Sequence, residues 1–228
     1  MFLEGSRNLP THPRNFVIIG LGTFGSTVAR ELARFGNHVI GIDMDDRVVS
    51  DHADDLGQAL ILDARDDGAL REAGLDQCDA GLVAMGSDIE SSILAAINLK
   101  TLGIETLWAK ASSKNHHRIL SKMGVDRVVR PEKEVGQQIA QVLHNPLVRD
   151  YISLGNGQHV VNFRIPESLE GKKLTELSYD AEYDLRCIGH LRGTEFLGQD
   201  GSASELQKDD LLLLLGRRQD LREFAGSL

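Results

Sequence analysis

The sequence predicts an α/β protein of two lobes joined by a helical connector. Three observations carry that reading: short apolar runs alternate with longer amphipathic stretches up to residue 131, a glycine-rich turn follows the first run, and alternating β-rich segments take over beyond residue 154. Residues 16–19, 38–42, 59–62, 81–84, 106–109 and 127–129 are dense in Val, Ile and Leu, as strands buried on both faces of a parallel sheet are. Between these runs apolar residues recur at helical spacing: Val28, Leu32 and Phe35, then Ile93, Leu94, Ala96 and Ile97, then Ile119, Leu120 and Met123. Gly36, Gly103 and Gly124 each follow such a stretch and supply the left-handed cap that ends a helix before the next strand.

After Pro131 the pattern predicts one long helix over residues 132–143 and, past Asn145-Pro146, a second amphipathic piece through Tyr151. Residues 132–154 therefore read as connector helices between a first lobe over 15–131 and a second over 155–228. In the second lobe, Val160, Val161, Phe163 and Ile165 lead into runs at 185–191, 195–197 and 210–215. Turns are expected at Gly193 and over 198–201, and a closing helix over 217–224, which makes a small α+β lobe.

Composition narrows the function. Among 228 residues, 25 Lys and Arg face 34 Asp and Glu, for a net charge of −9. Tracking a nucleic-acid backbone needs a basic face, so no nucleic-acid partner is expected. Wholly apolar runs such as 211–215 fall far short of the roughly 20 residues that span a bilayer, so no transmembrane segment is expected. Residues 1–14 mix charge, Gly and Pro and lack the apolar core of a secretory signal, which points to the cytoplasm. Cys78 and Cys187 have no CxxC spacing and read as two buried reduced thiols.

The chemistry gathers where strands end. Gly20-Leu21-Gly22-Thr23-Phe24-Gly25 follows the first strand and opens the first helix: the first glycine permits a tight turn, the second lets a pyrophosphate approach, the third lets helix pack on strand. Asp43 ends the second strand about 20 residues further on, where a carboxylate accepts hydrogen bonds from a ribose diol. The first lobe is therefore Rossmann-like, and Met44 and Asp45 offer no cation for the extra phosphate of NADP. Asp63, Ala64 and Arg65 follow the third strand, Met85, Gly86 and Ser87 the fourth, and Lys110 the fifth. Lys110 reads equally as a phosphate contact or as a solvated strand end. His116 and His117 read as partly exposed residues of the next helix in preference to metal ligands. Asp88 and Glu132 suit helix starts. No catalytic constellation accompanies the nucleotide loop, since His144, His159 and His190 stand alone, and a binding module outranks an enzyme.

The stretches FVIIGLGTFGSTVARELARFGNHVIGIDMD, VAMG, LWAKASSKNHHRILSKMGVDRVVRPEKEVG and KDDLLLLLG resemble the cytosolic gating subunits of bacterial Ktr/Trk potassium uptake systems, built from RCK (regulator of K+ conductance) domains with TrkA-N and TrkA-C parts. One copy of each lobe resembles the single-copy Ktr-type subunit. The resemblance implies a homodimer assembled into an octameric ring that docks, as a peripheral subunit at the inner face of the membrane, on the K+ transporter pore subunit. It also implies an adenine nucleotide, ATP/ADP or NAD/NADH. Carried over, Gly20, Gly22 and Gly25, with Thr23 and Phe24 between them, cradle phosphates, Asp43 with Met44 and Asp45 holds the ribose, and Asp63, Ala64 and Arg65 line the adenine side. Met85, Gly86 and Ser87 floor the pocket, with Lys110 on phosphate oxygens and His116 nearby. Glu132 faces the neighbouring subunit's nucleotide, directly or through a divalent cation, Mg or Ca. Family members commonly carry Arg where Thr23 stands, so discrimination of ATP from ADP by that arm is absent and NAD(H) or AMP-like ligands gain weight. Tyr179-Asp180-Ala181 lacks the Arg with which some relatives bind cyclic di-AMP. Two alternatives share parts of this pattern: a regulatory domain of a cation/proton antiporter or K+ efflux system, and an NAD-dependent oxidoreductase.

Overall fold

Six parallel strands build the sheet of the first unit, and the helices between them follow the expected alternation. In chain order they are β1 (Asn15–Ile19), α1 (Thr23–Arg34), β2 (His38–Asp43), α2 (Asp46–Ser50), β3 (Gln58–Ile61), α3 (Asp67–Glu72), β4 (Ala80–Val83), α4 (Ile89–Thr101), β5 (Thr106–Lys110), α5 (Lys114–Lys122) and β6 (Arg127–Val129). The computed structural model describes residues 12–198 and 205–228, so the N-terminal stretch up to residue 11 and the turn at 199–201 lie outside the described residues. The six predicted runs match the six strands to within a residue at each end.

The strand order β3-β2-β1-β4-β5-β6 reverses between β1 and β4. A crevice opens at the carboxyl ends of the strands at such a reversal. Val17 and Ile19 of β1 enter one hydrophobic core with Leu70, Leu99 and Leu107, while Ile18 between them enters the other with Ala29, Val39 and Leu82. Neighbouring residues of one strand thus serve opposite cores, which is why these runs carry no polar alternation. Burying each such side chain stabilises the fold by about 1.5–3 kcal/mol. Gly36, Gly103 and Gly124 take positive φ at the helix ends, as expected. Phe35, which recurs at helical spacing with Val28 and Leu32, is the C-cap of α1 and is largely exposed, because the helix has already ended there.

The second unit begins at Glu132. It comprises most of α6 (Pro131–His144), then β7 (Val148–Gly155), β8 (Gln158–Arg164), β9 (Arg186–Arg192), β10 (Glu195–Gly198), β11 (Leu211–Arg217) and α7 (Arg218–Ser227). Its sheet is antiparallel, in the order β10-β9-β11-β8-β7. One correction follows. The piece expected to continue the connector as helix through Tyr151 is strand β7, paired with β8 across the Asn156-Gly157 turn. Phe163 packs edge-on against Phe224 of α7 at 5.6 Å between ring centroids, at the centre of this unit's core. Asp210, almost fully buried, ties the sheet together: it accepts from Arg192 Nε at 2.9 Å, from the Gln207 N–H at 2.8 Å and from His190 Nε2 at 2.8 Å.

Along α6, Val142 packs into the second core, whereas Val135, Ile139 and Leu143, each four residues from the next, are 50%, 51% and 79% exposed. Both cysteines are free. Cys78 is buried, with its thiol pushed up to about 11 by burial and by Asp79 and Asp76. Cys187 is half-buried.

Candidate nucleotide site

The first strand delivers its glycine loop into the crevice beside β4. Gly20 has φ of 92°, and its N–H donates to the Ile42 carbonyl at 2.7 Å, so the turn is stitched to β2. A Cβ on Gly20 would lie 3.0 Å from Met85 Cγ, and one on Gly25 would lie 1.9 Å from the Gly20 carbonyl oxygen. These two glycines are demanded by the protein itself. Gly22 differs: its φ of −60° suits any residue, and a Cβ there would meet nothing within 4 Å. The loop is therefore open on the side of Gly22, the position that in glycine-rich dinucleotide loops gives a pyrophosphate its approach to the backbone.

Gly22 is also the N-cap of α1, with no side chain to accept a hydrogen bond and no acidic residue in the first turn after it. Helices α2 to α5 all start otherwise: Asp45, Asp66, Asp88 and Ser113 each accept a backbone N–H of the first turn. The N–H groups and positive dipole end of α1 therefore face outward without a side-chain acceptor, a ready place for an anion.

Asp43 stands at the end of β2, half-buried. Its Oδ2 accepts the Leu21 N–H at 2.8 Å and its Oδ1 the Asp45 N–H at 3.1 Å. The carboxylate thus clasps the glycine loop from across the crevice, with the outer lone pairs of both oxygens left for further donors. On the far wall, a Cβ on Gly86 would lie 3.3 Å from Lys110 Cε, and Lys110 Nζ stands 5.7 Å from the centroid of the Phe24 ring. The crevice so gathers Gly20, Phe24, Gly25, Met85, Gly86 and Lys110, with Asp43 at its β2 side. Ala84, 3.0 Å from a Cβ on Gly25, belongs to the same wall and carries no sequence signal beyond its place before Met85.

The remaining sequence candidates fare differently. Asp63 and Arg65 are spent on each other, with Arg65 Nη2 donating to Asp63 Oδ2 at 2.6 Å, and these hydrogen bonds hold the Asp63 carboxyl below its usual range. Ala64 is buried, its carbonyl accepting Asn98 Nδ2 at 2.9 Å. Met44 is exposed, Asp45 caps α2, and exposed Ser87 precedes Asp88, the cap of α4. His116 corrects its expectation of partial exposure. It is fully buried: its N–H donates to Ser113 Oγ at 3.1 Å, Nδ1 accepts weakly from the Ser112 N–H at 3.4 Å, and Nε2 is buried without a protein partner among the described residues. Burial lowers its pKa. Glu132 is exposed in the first turn of α6, in the second unit. Among the described residues no group of three or more His, Cys, Asp or Glu side chains, Glu132 included, converges to hold a metal.

A doubly wound unit with an open, uncapped glycine loop and an acidic second-strand end defines the class of dinucleotide-type α/β folds, and comparison with known proteins narrows it. The model of the TrkA-N domain matches residues 16–131. The chain belongs to the TrkA-N family and, within it, to the kind that the Ktr system potassium uptake proteins represent. It is 30% identical to Ktr system potassium uptake protein A of Bacillus subtilis strain 168 over 211 residues, 92% of this chain and 95% of that one. Protein C of the same system and strain is 31% identical, over 92% and 96%. Among solved structures, the RCK domain of GsuK superposes with a TM-score of 0.65 at 13% identity, over 94% of this chain and 47% of that one. The GsuK channel bound to NAD gives 0.64 at 13% identity, over 93% and 39%. This chain thus spans less than half of the GsuK chains it matches.

Proposed function

We propose that the protein is the nucleotide-binding regulatory subunit of a membrane potassium uptake system, acting as a gate control and not as a catalyst. The observation that carries the nucleotide reading is the start of α1, which alone among α1 to α5 lacks a side-chain cap and opens on a glycine with empty space around it. In this reading the loop Gly20 to Gly25 and Lys110 take the phosphates, Asp43 takes the ribose, and Met85 and Gly86 floor the pocket. With Thr23 short and neutral, the ligand is an adenine nucleotide of the NAD(H) or AMP type as readily as ATP or ADP.

The potassium reading is supported by the two Ktr relatives, matched over nearly their whole lengths. In this reading the pore belongs to a partner, and no helix among the described residues is long and apolar enough to cross a membrane. The exposed stripe Val135, Ile139 and Leu143 supports self-association through α6, the first step towards a ring. In the same reading Glu132, at the start of that helix, meets a second copy's ligand, directly or through a divalent cation.

The test is calorimetric titration of ATP, ADP, NAD+ and NADH into the purified protein, with light scattering for its assembled mass. At least one nucleotide binds, and Asp43→Ala weakens it by roughly 1.5–3 kcal/mol. Because Asp43 also clasps Leu21, inorganic pyrophosphate is titrated in parallel. A ribose role requires that the variant lose more affinity for the nucleotide than for pyrophosphate, and equal losses would reduce Asp43 to a loop clasp. Consumption of NAD+ with any substrate would return the oxidoreductase alternative.

A further inference from the structure

The six-stranded sheet of the first unit carries opposite charges at its two outer edges, which the nucleotide reading does not use. Strand β3 closes one edge and β6 the other. Residues 43–67, which surround β3, hold nine Asp against two Arg. Residues 110–130, which run through α5 and β6, hold six Lys and Arg against one acid, Asp126, in a chain of net charge −9.

Part of this charge already has local work. Asp43 clasps the glycine loop, Asp45 and Asp66 cap helices, Asp63 pairs with Arg65, and Asp55 stands 4.0 Å from Arg30. Asp46, Asp51, Asp54 and Asp67 are all exposed, and none forms an ion pair among the described residues. Helix α2 packs on β2 and β3 and carries Asp46 at its start and Asp51 at its end, so these carboxylates stand at the β3 edge. At the other edge, Lys114, Arg118 and Lys122 recur every four residues along α5, which packs on β6. They make one exposed row on the helix, again without an ion pair among the described residues. Like charges at that spacing repel and weaken the helix that carries them, and a facing row of carboxylates relieves the repulsion. Arg127 of β6 adds a further exposed cation, its guanidinium 4.7 Å from the centroid of the Trp108 ring. Each edge also shows apolar area: Ile61 on β3 is 58% exposed and Ile119 on α5 40%. Apolar groups within a polar surround are the make-up of a contact between proteins.

We infer that the β6 edge of one copy docks on the β3 edge of the next, with the cations of α5 facing the carboxylates around α2. The occupant is a second copy because the chain itself carries the complement, unpaired carboxylates at one edge and unpaired cations at the opposite edge of one sheet. The two patches are unlike, so the contact runs head to tail and closes into a ring where its rotation permits, whereas a self-complementary contact stops at a pair. Strands β3 and β6 are only four and three residues long, which leaves the contact to side chains and not to strand addition. The inference uses neither the nucleotide crevice nor the stripe on α6, and it stands or falls apart from both.

The experiment is sedimentation velocity on the full chain with two charge-reversed variants, Lys114→Glu/Arg118→Glu and Asp51→Lys/Asp54→Lys. The first adds acid towards the start of α5 and the second adds cations at the end of α2 and beyond it, placements that the helix dipole favours, and circular dichroism verifies the fold of each. The parent should assemble beyond a dimer at about 0.05 M NaCl, and its association should weaken about tenfold by about 0.5 M. Each variant alone should associate at least about tenfold more weakly than the parent, because its two edges carry charge of one sign. Mixed in equal amounts, the two variants should regain the parental mass, since an acidic β6 edge then meets a basic β3 edge, a recovery that a misfolded variant does not give. A parent that stays at or below a dimer in low salt, assembly indifferent to either reversal, or a mixture that remains dissociated overturns the inference. So does binding of the parent to vesicles of acidic phospholipid that Lys114→Glu/Arg118→Glu abolishes without changing the assembled mass, which assigns α5 to a membrane surface.

Discussion

Helix α1 and helices α2 to α5 begin under opposite rules. At four starts the chain spends an Asp or Ser side chain on the orphan N–H groups; at α1 it spends none and places two strictly required glycines around one that the fold does not need. A capped start is stabilised locally, whereas the bare start holds its N–H groups for something else. In the proposed reading stability and binding are allotted to different helix ends of one sheet, and substitutions at the two kinds should separate the two properties.

The largest effect is expected at Gly25. An alanine Cβ 1.9 Å from the Gly20 carbonyl forces α1 away from β1, and Gly25→Ala should cost about 3 kcal/mol or more while abolishing nucleotide binding, read by thermal melting and calorimetry. Gly22→Ala comes next and should do the reverse. Its melting temperature stays that of the parent, since the Cβ has open space, while nucleotide affinity falls roughly tenfold because the methyl group stands where the pyrophosphate approaches. A stability loss at Gly22 with unchanged affinity would break the comparison. Ser113→Ala, at a capped start, should cost about 1 kcal/mol of stability and leave nucleotide affinity unchanged.

The smallest effect sharpens the comparison through pH. His116, in the capped first turn of α5, has its pKa lowered from 6.5 by burial, so the folded protein takes up its proton less readily than the unfolded chain does. Its stabilising contribution is complete above pH 6.5 and is lost as pH falls below that value. Trp108, the sole tryptophan, lies in β5 of the same unit and reports on it by fluorescence. Melting temperature should fall on acidification through this range, and His116→Gln should flatten the slope. A wild-type slope that persists in the variant assigns the effect to other groups.

The first unit was legible because burial on two faces writes itself as unbroken apolar runs, and because the glycine loop, strand and acid keep fixed spacings. Strand β7 was not. A register shift between Val148 and Asp150 brings Val148 and Tyr151 to one core, three residues apart, which imitates the period of a helix. Of the proposed site, the glycines and Asp43 carry a sequence signal, whereas the clasp between Asp43 and Leu21 is a contact across 22 residues with no local signature. Burial of His116 was readable in principle, because it stands one helical turn before the buried Leu120 and shares its face.

The bulges have a further meaning at the rim of the second sheet. Its two outer strands are β7 and β10, and both are irregular: β7 shifts register twice, and β10 shifts once between Phe196 and Gly198. An interrupted outer strand is a poor template for another chain's backbone. Copies of this protein are thereby steered away from open-ended strand addition, the route to fibres, and any contact between them falls to side chains such as the stripe on α6, where geometry can close on itself and stop.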